Sequence, residues 1–283
     1  MADCSPIRFG INNSIPLATL TATPAPVTPL DNIKNEHRER IARWTDPSVD
    51  IVIRGEFAES QVAEYFSLPT SNLVGLAEVK LDLFEDLTST VDVLGMESQP
   101  IAEPPAVGVF RVGIDALGVP LKVDRPSAFM YDIGRSVIYK AFELTISHSE
   151  LAAEYADDVR LRMLTIGHSV QMQHNFSYGH KIRHRTDPEL IETRSGSTLS
   201  VRPQKNKKRL LIDLNMMSND DADALRRMEL TLDDQPFIVS AHPSETGWKY
   251  NSFNFLARFG NANEIASVAQ HINSSSSILF LEA

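Results

Sequence analysis

Apolar and polar positions alternate with period two from Val49 onward: Val49, Ile51 and Ile53 alternate with Asp50 and Arg54, and Val79, Leu81 and Leu83 with Lys80 and Asp82. Successive side chains of a strand point to opposite faces, so this spacing predicts sheets with one face in a core. Further strands are predicted at Val107 to Ile114, Val137 to Ile146 and Val159 to Ile166, with Ile138, Phe142, Leu144 and Ile146 sharing one face with Lys140. Between them lie proline- and glycine-rich pieces, Gly95 to Pro105 and Gly118 to Pro126. Many strands with irregular connections and little strong helix predict an antiparallel sandwich of the jelly-roll kind rather than a parallel βαβ fold.

Two other patterns flank this region. Ile15 to Pro29 contains Pro16, Pro24, Pro26 and Pro29 and reads as extended chain, an arm or an edge strand. Asp31 to Trp44 places Ile33, His37, Ile41 and Trp44 at helical spacing and predicts a short helix. After Ile166 the chain turns basic and polar as far as Arg209, and strand character returns at Leu210 to Leu214. Ser218 is placed to cap a helix with Asp220 and Asp221 in its first turn and Leu225, Met228 and Leu232 on one side. Strands are predicted at Phe237 to Ala241 and Asn251 to Phe259, a short helix at Asn263 to Ile272, a flexible turn at Ser274 to Ser277 and a last strand at Ile278 to Leu281. The resulting division is an extended N-terminal arm (1–30), a jelly-roll (31–170) and a smaller β-rich α+β domain (171–283) that begins with a basic linker or hairpin at 171–209.

Composition narrows the function. At 283 residues, 42% hydrophobic and 23% charged, the chain has the makings of two globular domains. A single cysteine, Cys4, excludes an intrachain disulfide, and its neighbour Asp3 disfavours a reactive thiolate. No apolar run approaches the roughly 20 residues needed to span a bilayer. Met1 to Leu17 lacks the basic, apolar and small-residue succession of a signal peptide, which predicts synthesis in the cytoplasm. Net charge is −10, yet residues 171–210 carry 9 basic and 3 acidic groups. An acidic whole argues against nucleic acid as a partner. The basic island reads as a solvated loop or as a surface for an acidic neighbour, with Lys181, Arg183 and Arg185 as contact candidates.

No catalytic or cofactor motif stands on these elements. His168, His174, His180 and His184 are the densest metal-ligand candidates, but Lys181 occupies the position where a zinc protease carries its glutamate. Asp157 and Asp158, with Glu150 and Glu154 upstream, lack the alternating oxygen spacing of a calcium loop. GxGxxG, GxxxxGK[ST] and GxSxG are all missing. The expectation is a non-enzyme with no cofactor and no metal; a cell-envelope hydrolase has only scattered carboxylates and histidines behind it. Aromatic rings stack on sugars and anchor interfaces. Trp44 and Phe66 read as core, whereas Trp248 and Tyr250, in the polar stretch Pro243 to Asn251, are the candidate ligand or interface contacts.

The stretch Tyr65-Phe66-Ser67-Leu68-Pro69-Thr70-Ser71-Asn72-Leu73, followed by Ala77 to Phe84, resembles phage tail- and baseplate-associated virion proteins that open with a galactose-binding-like, discoidin-type jelly-roll. In that family a His-Asn-Leu step precedes the next strand; here Ser71 replaces the histidine while Asn72 and Leu73 remain. Tyr139 to Ile146, Val159 to Gly167 and the segments from Arg209 to Phe259 extend the likeness over nearly the whole chain. The resemblance implies a structural protein of a phage tail, tail tip or baseplate, located in the virion and contacting other virion proteins as a symmetric homo-oligomer. It also implies a possible host glycan as ligand, the alternative function being a carbohydrate-binding module. It brings no catalytic residues.

Overall fold

The computed structural model describes residues 6–35, 40–46, 48–73, 77–86, 88, 92–101, 127–148, 158–176, 181–185, 189–192, 198–201, 207–232, 235–243, 254–260, 266–269 and 272–282. In chain order the strands of the first half are β1 (Arg8–Ile11), β2 (Thr19–Thr23), β3 (Ala42–Trp44), β4 (Ile51–Ser71), β5 (Ala77–Phe84), β6 (Asp92–Gly95), β7 (Gln99–Pro100), β8 (Ser127–His148) and β9 (Val159–Gln171). They are followed by β10 (Lys181–Arg185), β11 (Glu189–Glu192), β12 (Thr198–Val201), β13 (Lys207–Met217), α1 (Asn219–Leu232), β14 (Phe237–Ser240), β15 (Asn254–Phe259), β16 (Ala266–Ala269) and β17 (Ile272–Glu282). Two compact units form: the first contains Arg8–Val170 and Ile238–Phe255, the second Ser5–Ile7, Gln171–Phe237 and Leu256–Ala283.

The first unit is built on one long ribbon. β4 and β8 pair antiparallel from Ile51↔Ile146 to Ser71↔Ser127. In the first half of the ribbon, β2 lines the free edge of β4 and β5 lines β8, with β6 and β7 beyond β5. In its second half β9 lies beside β4 and pairs with β3, while β1 pairs with β14. Register shifts between Glu56 and Gln61 and between Ala63 and Tyr65 mark where the ribbon turns from one layer into the other. Such irregularities bend strands and let them serve two sheets. Ile51, Ile53, Val79, Leu81 and Leu144 from one layer meet Phe66, Leu68, Phe129, Leu161 and Ile166 from the other in a single core. The fold is mainly β: an antiparallel jelly-roll sandwich, as the period-two spacing predicts.

The bend also corrects one face. Ile138 is 65% exposed, whereas Val137 and Tyr139 are buried and Phe142, Leu144 and Ile146 are buried further along. The inward parity changes as β8 crosses the corner, so Ile138 does not share the buried face of Phe142.

Residues 8–30 do not stand away as an arm. β1 pairs with β14, β2 pairs with β4, and Ser14 N–H and Oγ both donate to Ile166 O, at 2.9 and 2.8 Å. Asn13 adds Nδ2 to Leu164 O at 3.3 Å and accepts from Ile166 N–H at 3.3 Å. With its proton on Ile166 O, the Ser14 hydroxyl accepts from buried Tyr139 OH at 2.7 Å. Where a helix is expected at Asp31 to Trp44, the described residues form instead a short 3-10 turn, Leu30–Lys34, and β3. Thr28 accounts for part of this: its hydroxyl donates to Ile41 O at 2.7 Å and accepts from Arg43 N–H at 2.9 Å, holding the segment extended. The strand expected at Val107 to Ile114 lies outside the described residues.

In the second unit β13 pairs with β10 on one side and with β17 on the other, β17 pairs with β15 and β16, and β11 with β12 form a separate ladder. Helix α1 starts where expected: Ser218 Oγ accepts from Asp221 N–H at 3.1 Å. Its buried residues Ala222, Leu225, Met228 and Leu232 follow the helical repeat. Phe237, Phe259 and Phe280 form an aromatic cluster with centroids 4.8 to 6.0 Å apart. Where a helix is expected at Asn263 to Ile272, the described residues form β16 and the start of β17, and Ser274 to Ser277 lie within β17 rather than in a turn. Backbone pairing to β13 and β16, including Leu214↔Ser275 and Ala266↔Ser274, outweighs the weak strand propensity of serine.

Candidate functional site

Two outpouchings of the β4·β8 ribbon build a cleft in the first unit. Between Glu56↔Ala141 and Gln61↔Tyr139, the residues Phe57–Ser60 of β4 stand against Lys140 alone. Between Ala63↔Val137 and Tyr65↔Asp132, Ile133–Ser136 of β8 stand against Glu64 alone. Gly134 makes the second excursion possible, with a φ of +74° in the left-handed region, and its N–H donates to Asp132 Oδ1 at 3.0 Å. Asp132 is in turn ion-paired with Arg8.

The short ladder left between the excursions carries Ile138 outward. Beside it opens a cleft of about 600 Å³ lined by Ser60, Glu85, Val93, Arg135, Ser136 and Lys140, among others. Phe57 packs inward on Tyr139 and Phe142, at centroid distances of 5.4 and 6.1 Å, which fixes the lip of the cleft to the core. Arg135 Nη2 reaches Val93 O at 3.5 Å. The walls thus offer cationic donors, a carboxylate acceptor, hydroxyls and an exposed aliphatic side chain.

Glu64 anchors the β8 excursion. Its Oε1 accepts from Ser136 Oγ at 2.5 Å and its Oε2 from Ser169 N–H at 2.8 Å, while His168 Nδ1 lies 3.8 Å from Oε1. Burial opposes ionisation of Glu64, but the Ser136 and Ser169 bonds and the His168 ring outweigh it and hold the carboxyl below its ordinary value. A depressed carboxylate stabilises the fold above the usual glutamate range, and that contribution disappears as pH falls through the lowered value. Glu64→Gln is therefore expected to narrow the difference in urea midpoint between pH 7 and pH 3. Equal pH dependence in the two proteins contradicts this. The trio also lacks catalytic order: the Ser136 hydroxyl bonds the carboxylate directly, whereas nucleophilic activation places the imidazole between them.

None of the residues singled out from sequence as site candidates is among the described residues that line the cleft. Lys181 is exposed at the start of β10, an edge strand of the second unit, and the backbones of Arg183 and Arg185 are registered opposite Arg209 and Lys207 of β13. Trp248 and Tyr250 lie outside the described residues. Trp44 and Phe66 are buried in the core of the first unit, and Trp44 Nε1 donates to Pro24 O at 2.8 Å. Of the histidines, His168 sits by Glu64 and His174 is exposed, and no group of three metal-ligating side chains occurs among the described residues. Among those residues no helix is long and apolar enough to cross a membrane. The cleft itself has a faint sequence signal: polar Glu59-Ser60-Gln61 and the Asp132-x-Gly134 step each interrupt an otherwise apolar strand pattern.

No protein-family model matches the chain, and no curated protein is similar to it. Among solved structures it is similar to a Ruminococcus gnavus GH29 fucosidase in complex with fucose, at 7% identity and a TM-score of 0.39, over 56% of this chain and 27% of that one. The matched stretch therefore spans about a quarter of the fucosidase. A chitosan-binding module of a Paenibacillus sp. IK-5 chitosanase/glucanase matches at 8% identity and a TM-score of 0.36, over 55% of this chain and 98% of the module. A CBM32 module of Clostridium perfringens in complex with GalNAc-β-1,3-galactose matches at 11% and 0.34, over 53% and 95%.

Proposed function

We propose that the chain is a non-catalytic recognition protein and that its first unit binds a glycan in the cleft beside Ile138. The carrying observation is the combination of walls: an exposed aliphatic side chain between Arg135, Lys140, Glu85 and two serines. A sugar ring presents an apolar C–H face and a rim of hydroxyls that both donate and accept, and this set of groups answers both. The test is a glycan array followed by calorimetry on Arg135→Ala and Lys140→Ala. At least tenfold weaker binding of the selected glycan in either variant supports the reading, since a charge-assisted hydrogen bond is worth about 1.5–3 kcal/mol. No binding at millimolar glycan, or unchanged affinity in both variants, overturns it.

The setting we propose for this binding is a phage virion. The support is the stretch Tyr65–Leu73 with Ala77–Phe84, which forms the last third of β4 with the two residues after it and the whole of β5, in the same sandwich as the cleft. Assembly through an N-terminal strand-adding arm is not part of the proposal, because β1 and β2 are already paired within the chain. Mass spectrometry of purified particles tests the setting; absence of the chain from particles removes it and leaves the cleft reading intact.

A further inference from the structure

Ser136 lines the cleft with its hydroxyl proton already committed. Its Oγ lies 2.5 Å from Glu64 Oε1, and a carboxylate oxygen only accepts, so the serine donates. What that oxygen has left for a ligand is lone pairs. Arg135 and Lys140, by contrast, have donors and no acceptor. The cleft thus sorts its polar groups: donors at Arg135 and Lys140, acceptors at Ser136 and Glu85, and Ser60 able to act as either.

The second oxygen of Glu64 decides what happens when the charge is removed. Oε2 accepts from the Ser169 N–H at 2.8 Å, a backbone donor fixed in β9. An acceptor must therefore stay on that side. If the carboxyl takes up a proton, or an amide replaces it, the remaining oxygen keeps to Ser169 and the new donor, O–H or NH₂, faces Ser136. The Ser136 oxygen then accepts from residue 64, and its own proton turns into the cleft. The charged side chains flanking Glu64 are His168 on β9 and Asp132 and Arg135 on β8. Asp132 is ion-paired with Arg8, and Arg135 reaches Val93 O at 3.5 Å. His168, 3.8 Å from Oε1, favours the carboxylate and so works against the reversal.

We infer that Glu64 is a positioning residue of the cleft: through Ser136 it presents an acceptor to the ligand, so the cleft selects a sugar hydroxyl that donates there, and acid turns that acceptor into a donor. This rests on the glycan reading of the cleft and names the polarity of one contact in it. The direction with pH follows. Burial opposes the charge on Glu64, but the bonds from Ser136 and Ser169 and the His168 ring outweigh it and hold the carboxyl below its ordinary value. The acceptor is therefore present at neutral pH and is lost as pH falls through that lowered value.

The test is an NMR titration of the full chain with the methyl glycosides of glucose, galactose, mannose and N-acetylglucosamine, the tightest of which is then taken to the variants at pH 7. Glu64→Gln is expected to weaken binding about three- to tenfold, the range for one hydrogen bond, and Ser136→Ala by a similar factor. In the Ser136→Ala background Glu64→Gln has no further effect, because its route to the ligand is gone. If Glu64→Gln does not fold, pH takes its place: lowering it from 7 to 3.5 is expected to weaken binding more in the parent than in Ser136→Ala. No binding of any of the sugars, or binding that neither Arg135→Ala nor Lys140→Ala weakens, removes the cleft reading and this one with it. Binding that those variants weaken overturns the role of Glu64 alone if Glu64→Gln leaves it unchanged, or if Glu64→Gln or acid weakens it equally with and without the Ser136 hydroxyl.

Discussion

Replacing Gly167 with alanine is expected to destabilise the first unit by about 3 kcal/mol, the upper range for forced overpacking. A Cβ at this position meets Ile11 O at 2.7 Å and Asn12 O closer still. These are backbone atoms. Asn12 is itself in the left-handed region, with a φ of +53°. Asn13 and Ser14 tie the segment to Leu164 and Ile166, so it cannot retreat without breaking those bonds. A loss of that size lowers the melting temperature by about 6–12 °C for a unit of this length. A Gly167→Ala protein that melts within 2 °C of the parent shows that the N-terminal segment is not packed on β9 as described.

The second large effect is expected at the corner of the ribbon, where Phe142 lies over Gly55. A Cβ on residue 55 approaches Phe142 Cζ to 2.6 Å. Phe142 is fully buried and also packs near Phe57. Phe142→Ala is expected to cost about 3–5 kcal/mol through lost burial and the cavity left behind. Gly55→Ala alone is expected to cost about 2 kcal/mol from overpacking. In the double variant the alanine methyl occupies space vacated by the ring, so the two effects fall short of their sum by at least about 1 kcal/mol. Urea denaturation of the four proteins measures this, and strict additivity shows that the ring and the glycine do not share the space.

The contrast between these two glycines shows what was legible in the sequence. The strands themselves were, because alternation at Val79, Leu81 and Leu83 reflects a one-sided core regardless of which strands pair. The cap at Ser218 and the helix after it were legible for the same local reason. What alternation cannot convey is a change of inward face along one strand, so Ile138 read as core although the bend of β8 turns it outward. Pairing partners were equally hidden: the helical spacing of Ile33, His37, Ile41 and Trp44 is genuine, but Ile33 falls in a 3-10 turn and Thr28 and β9 hold Ala42–Trp44 extended. The serine run at 274–277 read as a turn because its strand propensity is supplied by β13 and β16 rather than by its own residues. The pairing of β3 with β9 was invisible, since Arg43 and its register partner Arg160 are more than a hundred residues apart.

The ribbon also sets a timetable for synthesis. The residues that Ser14 bonds, Ile166 and Tyr139, leave the ribosome long after it does, and Ile51 waits for Ile146. Contacts this distant in sequence slow folding, because the loop between the partners must close before any of them is rewarded. Neither layer can finish alone, since both draw on β4 and β8. The nascent chain therefore exposes the apolar faces of β2, β4 and β5 until β8 has emerged and β9 has followed. Production of the isolated first half is accordingly a route to aggregates, and a host with ample chaperone capacity is the suitable one for making the whole chain.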